Sequence, residues 1–326
     1  MKKNPVQKLA LGTLIAVTVL VFVGAIVRVT GAGLGCPDWP TCWGELIPPW
    51  KVEQVDFDSL DVEKFQKKAE KLGRDPREIT LEALRQEFNP VHTWTEFMNR
   101  LTSLPVGVLS LALVWVTLRS RQPKLVKGAA LSALFLVLAN AFLGAMVVAS
   151  RLQSGIITTH LALAFLLIFV LVWIVWFAGE ERQRISGTSR AAVLVLLLLI
   201  LVEGFLGSQI REMTDSLQKE LGVDSRDEWI VKIENSWLWV VHRSFSWVIF
   251  ADAALCWWPS RQAGWLPKAV MGIMFAFMAM GIVFSHVEIH PVVQVLHVGL
   301  SYILVILVFY WLLAAETISE PLRARA

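Results

Sequence analysis

The chain has 326 residues, of which 56% are hydrophobic and only 17% charged, with a formal net charge of +3 and a mean hydropathy of +0.58. A soluble domain carries roughly a quarter charged residues, so this composition excludes a disordered tail, a collagen-like fibre and a small disulfide scaffold, and it argues against a single soluble globule. The net charge is too small for a nucleic-acid binder, and no zinc-finger, P-loop or GxGxxG spacing occurs.

The apolar residues fall in blocks. A bilayer core of ~30 Å needs about 20 helical residues. Residues 9–27, 101–118, 128–150 and 269–285 contain no ionisable group. Residues 152–179 and 289–315 hold no Asp, Glu, Lys or Arg; residues 191–210 are interrupted only by Glu203, and 235–260 by His242, Arg243 and Asp252. Runs such as VLVLLLLILV (193–202) have no hydrophilic face. The expectation is an all-α integral membrane protein with eight transmembrane helices. The first run, at 19 residues, exceeds a signal-peptide core and lacks a clean cleavage site, so it is read as a helix.

Short loops orient the chain. Lys2, Lys3 and Lys8 precede the first span; Arg119, Arg121, Lys124 and Lys127 separate the second from the third; Arg182, Arg184 and Arg190 follow the fourth; Arg261 and Lys268 follow the sixth; Arg323 and Arg325 end the chain. The alternate short loops hold only Arg151. The positive-inside rule then puts both termini in the cytoplasm of a plasma-membrane protein, with the long segments 30–93 and 211–236 outside. Trp94, Trp237, Trp239, Trp257, Trp258 and Trp265 lie near span ends, where interfacial belts are expected.

The first long loop divides in two. Residues 30–50 (TGAGLGCPDWPTCWGELIPPW) are rich in Gly, Pro and Trp and read as an ordered turn structure. Residues 53–88 are charged, with one helix expected after Asp58, Ser59 and Asp61, running to Leu72 and stopped by Gly73, and a second from Asp75–Pro76 through Phe88. This insert reads as a solvated helical hairpin without chemistry. Cys36 and Cys42 lie in the same loop, and a disulfide is expected in an oxidising space, two free thiols being the alternative. Cys256 reads as a packing residue.

The chain also repeats loosely. GAIVRVT (24–30) matches GFLGSQIRE (204–212), EFMNR (96–100) matches WVVHR (239–243), and THLALAFLL (159–167) matches LHVGLSYIL (296–304). This order suggests two tandem four-helix halves, 1–180 and 181–326, related by a pseudo-twofold axis along the membrane normal. Glu96, Asn99, His160, His242 and His297 each fall about one turn inside the outer end of a span. Ionisable groups at such depth are costly and are functional candidates by default. Two histidines on facing helices of a bundle are a standard way to hold haem iron, whereas zinc would want three or four clustered ligands. Arg28, Arg100, Arg151, Arg211 and Arg243 sit at outer helix ends, where haem propionates would need counter-charge. Haem is the favoured ligand.

At this point a resemblance enters. GAIVRVTGAGLGCPDWPTCWGELIPP (24–49), Glu96-x-x-Asn99-Arg100, His160, His242-Arg243 and His297 resemble the haem A synthase family. The resemblance covers nearly all of the membrane portion and leaves out the insert 53–88. It implies an eight-helix oxidoreductase that converts haem O to haem A by oxidising a ring methyl to a formyl group, with an upstream haem O synthase and delivery to cytochrome oxidase and its assembly factors. The expected assignment puts substrate haem in the N-terminal half, with Glu96 catalytic. A permanent haem b is expected in the C-terminal half between His242 and His297. Arg28, Arg100 and Arg243 are candidate propionate contacts. The structural alternative for Glu96 is an ion pair with Arg100, four residues on.

One departure matters. Many family members have histidine where this chain has Asn99. Here His92 lies seven residues earlier on the same face, which in a helix is a rise of ~10 Å. His160 is therefore the main expected substrate-haem ligand and His92 a second candidate. His286 and His290 read as interfacial, and Glu203 and Asp252 as pairing with neighbouring helices. A di-haem electron-transfer cytochrome and a transporter are the competing function classes. No nucleic acid is expected as partner, and self-association is left open.

Overall fold

The computed structural model describes residues 4–71, 75–150, 153–179, 184–221, 226–287 and 290–315. Lys2, Lys3, Arg151, Arg182, Arg323 and Arg325, used above for orientation, and the helix stop at Gly73 lie outside the described residues. Among the described residues the regular elements are helical: α1 (Pro5–Val29), α2 (Val62–Lys71), α3 (Leu81–Glu87), α4 (Pro90–Arg119), α5 (Lys124–Ala149), α6 (Ser154–Phe177), α7 (Arg190–Leu221), α8 (Arg226–Glu234), α9 (Trp237–Ser260), α10 (Leu266–His286) and α11 (Pro291–Ala314).

Several of these starts follow from local chemistry. Asn4 caps α1 by accepting from Gln7 N at 2.8 Å, with Pro5 at the first helical position. Asn89 caps α4 from Val91 N (3.0 Å) and His92 N (3.2 Å), again before a proline. Ser236 caps α9 and the His290 ring caps α11, accepting from Val292 N at 3.2 Å. His290 thus has a structural task that the sequence did not suggest.

Seven of the helices are long and apolar enough to cross a membrane: α1, α4, α5, α6, α7, α10 and α11. The chain is an integral membrane protein. The remaining expected span, α9, forms a helix of 24 residues. His242, Arg243, Asp252 and five tryptophans make it less apolar than the others.

The chain divides into two compact units, Met1–Ala178 and Gly179–Ala326. In the first, α1 packs on α4, α4 on α5, α5 on α6 and α6 back on α1, a closed four-helix bundle. In the second, α7, α9, α10 and α11 close a bundle in the same order. Consequently α4 and α6 stand across the first bundle from each other, and α9 and α11 stand across the second.

The insert departs from the sequence expectation. Its second helical segment is broken: a 3-10 turn at Pro76–Glu78 ends before Thr80, whose side chain caps α3. The Arg77 side chain and backbone bonded to Asp75 hold that carboxyl below the usual carboxylate range. Nor is the hairpin merely solvated. Val55, Phe57, Leu60 and Leu84 are buried with Cys36, Cys42 and Trp43 in one cluster, flanked by Val62 and Phe88. Short apolar runs without a helical period carry this core, which is why periodicity did not reveal it.

Candidate functional site

The first site residues gather where loop 30–50 meets the start of α4. Cys36 and Cys42 are joined by a disulfide. Within that ring Asp38 organises the turn: its carboxylate accepts from Trp43 N (2.7 Å), Gly44 N (3.0 Å) and the Thr41 hydroxyl. Trp43 and Gly44 both take positive φ, +58° and +81°. The paired amides stabilise a left-handed backbone that a tryptophan rarely adopts. The loop presses directly on α4. A Cβ at Gly35 would lie 2.2 Å from the His92 carbonyl oxygen, so only glycine fits. The Gly35 carbonyl in turn accepts from Thr93 Oγ1 (2.8 Å) and Trp43 Nε1 (2.8 Å).

Arg100 completes the joint. Its Nη1 donates to the carbonyls of Asp38 (2.9 Å) and Thr41 (2.8 Å), its Nη2 to that of Cys36 (3.3 Å), and its Nε to Glu96 Oε1 (3.2 Å). These bonds engage four of the five guanidinium donors. Arg100 is therefore a clamp on the disulfide loop. Glu96 is 4% exposed and pairs with Arg100, the alternative that the spacing had allowed. Trp94, expected at an interfacial belt, stacks on Trp50 with ring centres 4.1 Å apart.

The other candidates of this unit lie on α4, α6 and α1. His92 sits half-buried in the first turn of α4, and Asn99 two turns further along. His160 projects from α6 beside Gly144 of α5; a Cβ there would meet His160 Cε1 at 3.7 Å, ordinary contact. Arg28 lies in the last turn of α1.

In the second unit the structure brings His242 of α9 and His297 of α11 together across the bundle. Their ring centres are 6.4 Å apart and their planes are inclined by 64°. That separation is what one iron with two axial metal–nitrogen bonds of about 2 Å spans. His297 is packed edge-on by Phe277 (5.0 Å) and Phe284 (5.5 Å), and its Nδ1, like that of His242, is buried without a hydrogen-bond partner. An unpaired buried imidazole nitrogen calls for a ligand or other explanation. The pair thus fits an axially held haem. Arg243, next to His242, is exposed.

The match of EFMNR (96–100) with WVVHR (239–243) sets Glu96 against Trp239, so that position carries an acid only in the first half. The structure supplies a second acid from another helix. Glu203 of α7 lies 3.3 Å through Oε1 from His242 Nδ1 and accepts from Ser246 Oγ at 2.5 Å. The available signals were the lone acid interrupting an apolar run and a serine one turn after His242.

Fold and site together define a helical membrane protein with two half-buried histidines facing each other across a bundle. The chain belongs to the cytochrome oxidase assembly protein family, whose profile matches residues 7–309. It is 27% identical over 194 residues to a heme A synthase of Shewanella oneidensis, covering 59% of this chain and 52% of that protein. A heme A synthase of Novosphingobium aromaticivorans is 28% identical over 214 residues, 61% of this chain and 58% of the relative. A protoheme IX farnesyltransferase of Thermus thermophilus is 28% identical over 212 residues, 61% of this chain but 29% of that protein. The chain spans about half the length of the heme A synthases it matches. The resemblance noted from residues 24–49, Glu96 and the histidines is thus borne out at the level of the family.

Proposed function

We propose that the protein is a haem A synthase, an integral membrane oxidoreductase that oxidises a ring methyl of haem O to the formyl group of haem A. One observation carries the reading: the family match runs from residue 7 to 309, and the curated relatives include several heme A synthases. The geometry supports it. A bis-histidine pair in the second unit fits a resident haem b, and the first carries a buried acid, Glu96.

His242 and His297 would hold haem b, and Arg243 would meet a propionate. When bound, that haem supplies one-electron transfer. Substrate haem O belongs to the first unit, with His160 as main ligand, His92 as second candidate and Arg28 as propionate partner. Arg100 keeps the disulfide loop closed over α4, so the loop shields this end of the bundle from water. Glu96 would act beside the reacting methyl, handling a proton or balancing positive charge, while Arg100 holds its Oε1. Eight spans in two halves related by a pseudo-twofold axis, cytoplasmic termini and an outward-facing site in the plasma membrane complete the proposal. Its partners are a haem O synthase upstream and cytochrome oxidase assembly factors downstream.

The test is pigment extraction from cells that make haem O, with and without this chain. A formyl haem should appear only with it, and the purified protein should give a haem b pyridine haemochrome. Haem b without any formyl haem would mean an electron-transfer cytochrome; protein free of haem would overturn both readings.

A further inference from the structure

The two histidines of the second unit sit in different sockets. His297 meets aromatic edges on α10, and none of the described carboxylates pairs with it. His242 meets a polar socket built by α7 and by its own helix. Glu203 Oε1 lies 3.3 Å from His242 Nδ1, within ion-pair distance but outside hydrogen-bond geometry, so a small turn of the ring would complete the bond. Gly207, one turn along α7, lies against the same ring: a Cβ there would be in ordinary contact, 3.4 Å from Cε1 and 4.0 Å from Nδ1. Ser246, one turn along α9, donates to Glu203 Oε1 at 2.5 Å and has the His242 carbonyl at 2.9 Å as its other acceptor. The second carboxylate oxygen, Oε2, is buried without a partner.

A carboxylate inside an apolar helix is expensive to maintain and is retained where a specific partner uses it. Here the partner is an imidazole nitrogen. A histidine that ligates metal through one nitrogen commonly gives its other N–H to a carboxylate, which fixes ring orientation and tautomer and raises the ligand's basicity. We infer that Glu203, seated by Ser246, is a positioning residue for His242. It orients that ring toward the iron and makes His242 the more electron-donating of two unequal axial ligands. The inference rests on the haem b reading above. It assigns the two ligands different tasks: His242 sets the haem's potential, and His297 holds the opposite face in an apolar environment.

Spectroelectrochemical titration and EPR of the purified, haem-b-loaded protein test this without reference to turnover. Glu203→Gln and Glu203→Ala should both raise the midpoint potential, because a less basic ligand stabilises ferric iron less. Both should shift the low-spin EPR g values, and haem affinity should fall about 10- to 100-fold. Ser246→Ala keeps the carboxylate and should shift the potential the same way by less. His242→Ala and His297→Ala should each abolish the bis-histidine spectrum. If the histidine variants do so but all three socket variants keep wild-type potential and g values, the positioning role is wrong while the haem reading stands. If the histidine variants leave haem binding unchanged, the haem reading fails and this inference falls with it.

Discussion

The two bundles spend their buried polar residues differently. In the first, the acid Glu96 is tied to Arg100, and Arg100 is tied to three carbonyls of the disulfide loop. In the second, the acid Glu203 is turned to a histidine, and no comparable loop is clamped among the described residues. The same four-helix order therefore carries two different polar arrangements: an arginine joint between the disulfide loop and α4, and a carboxylate set against a histidine of α9. An acid in a membrane helix takes its meaning from the helix facing it, not from its place in a repeat.

The largest expected effect breaks the second bundle. Removing either His242 or His297 by substitution with alanine should abolish the low-spin bis-histidine haem signal in absorption and EPR, whereas His92→Ala should leave that signal intact. Next, Arg100→Ala leaves Glu96 buried without its partner and frees the loop. Breaking a buried pair this way costs about 3–5 kcal/mol. The measurement is the denaturation midpoint in detergent, with faster reduction of the Cys36–Cys42 disulfide as the local readout; an unchanged midpoint would show that the clamp carries little.

Third, Glu96→Gln keeps an oxygen that accepts from Arg100 Nε, so the loop should stay closed. Formation of haem A should fall by about 100-fold or more if the carboxylate handles a proton. Normal formation with a closed loop would leave Glu96 purely structural and erase the functional half of the comparison. The smallest effect separates two glycines. Gly144→Ala places its methyl in ordinary contact with His160, at 3.7 Å, and should be silent. Gly207→Ala places it 3.4 Å from His242 Cε1, at the near edge of ordinary contact, and should shift the g values only slightly. Equal silence in both would show that the α7 socket is not tight.

Much of the fold was legible in residue order. Uninterrupted apolar runs located the helices, because a bilayer-length helix needs no partner to be recognised. Asp58, Ser59 and Asp61 marked the start of α2, and the Gly, Pro and Trp content of 30–50 marked an ordered turn. The insert was harder. Val55, Phe57 and Leu60 lie in short stretches with no period, so their joining of Cys36, Cys42 and Trp43 in one core had no signature in the sequence. α9 shows the opposite: His242, Arg243 and Asp252 made it the least apolar of the expected spans, yet its histidine faces another across the bundle.

The sequence by itself determined a chain of membrane helices, a disulfide-bearing loop and a short set of buried ionisable residues. These follow from composition and from order along one dimension. Only the tertiary structure decided who meets whom. Arg100 closes on backbone carbonyls 59 to 64 residues away, and Glu203 reaches a histidine 39 positions on. Such pairings depend on which face each helix turns to its neighbour, and a uniformly apolar helix carries almost no record of that face in its sequence.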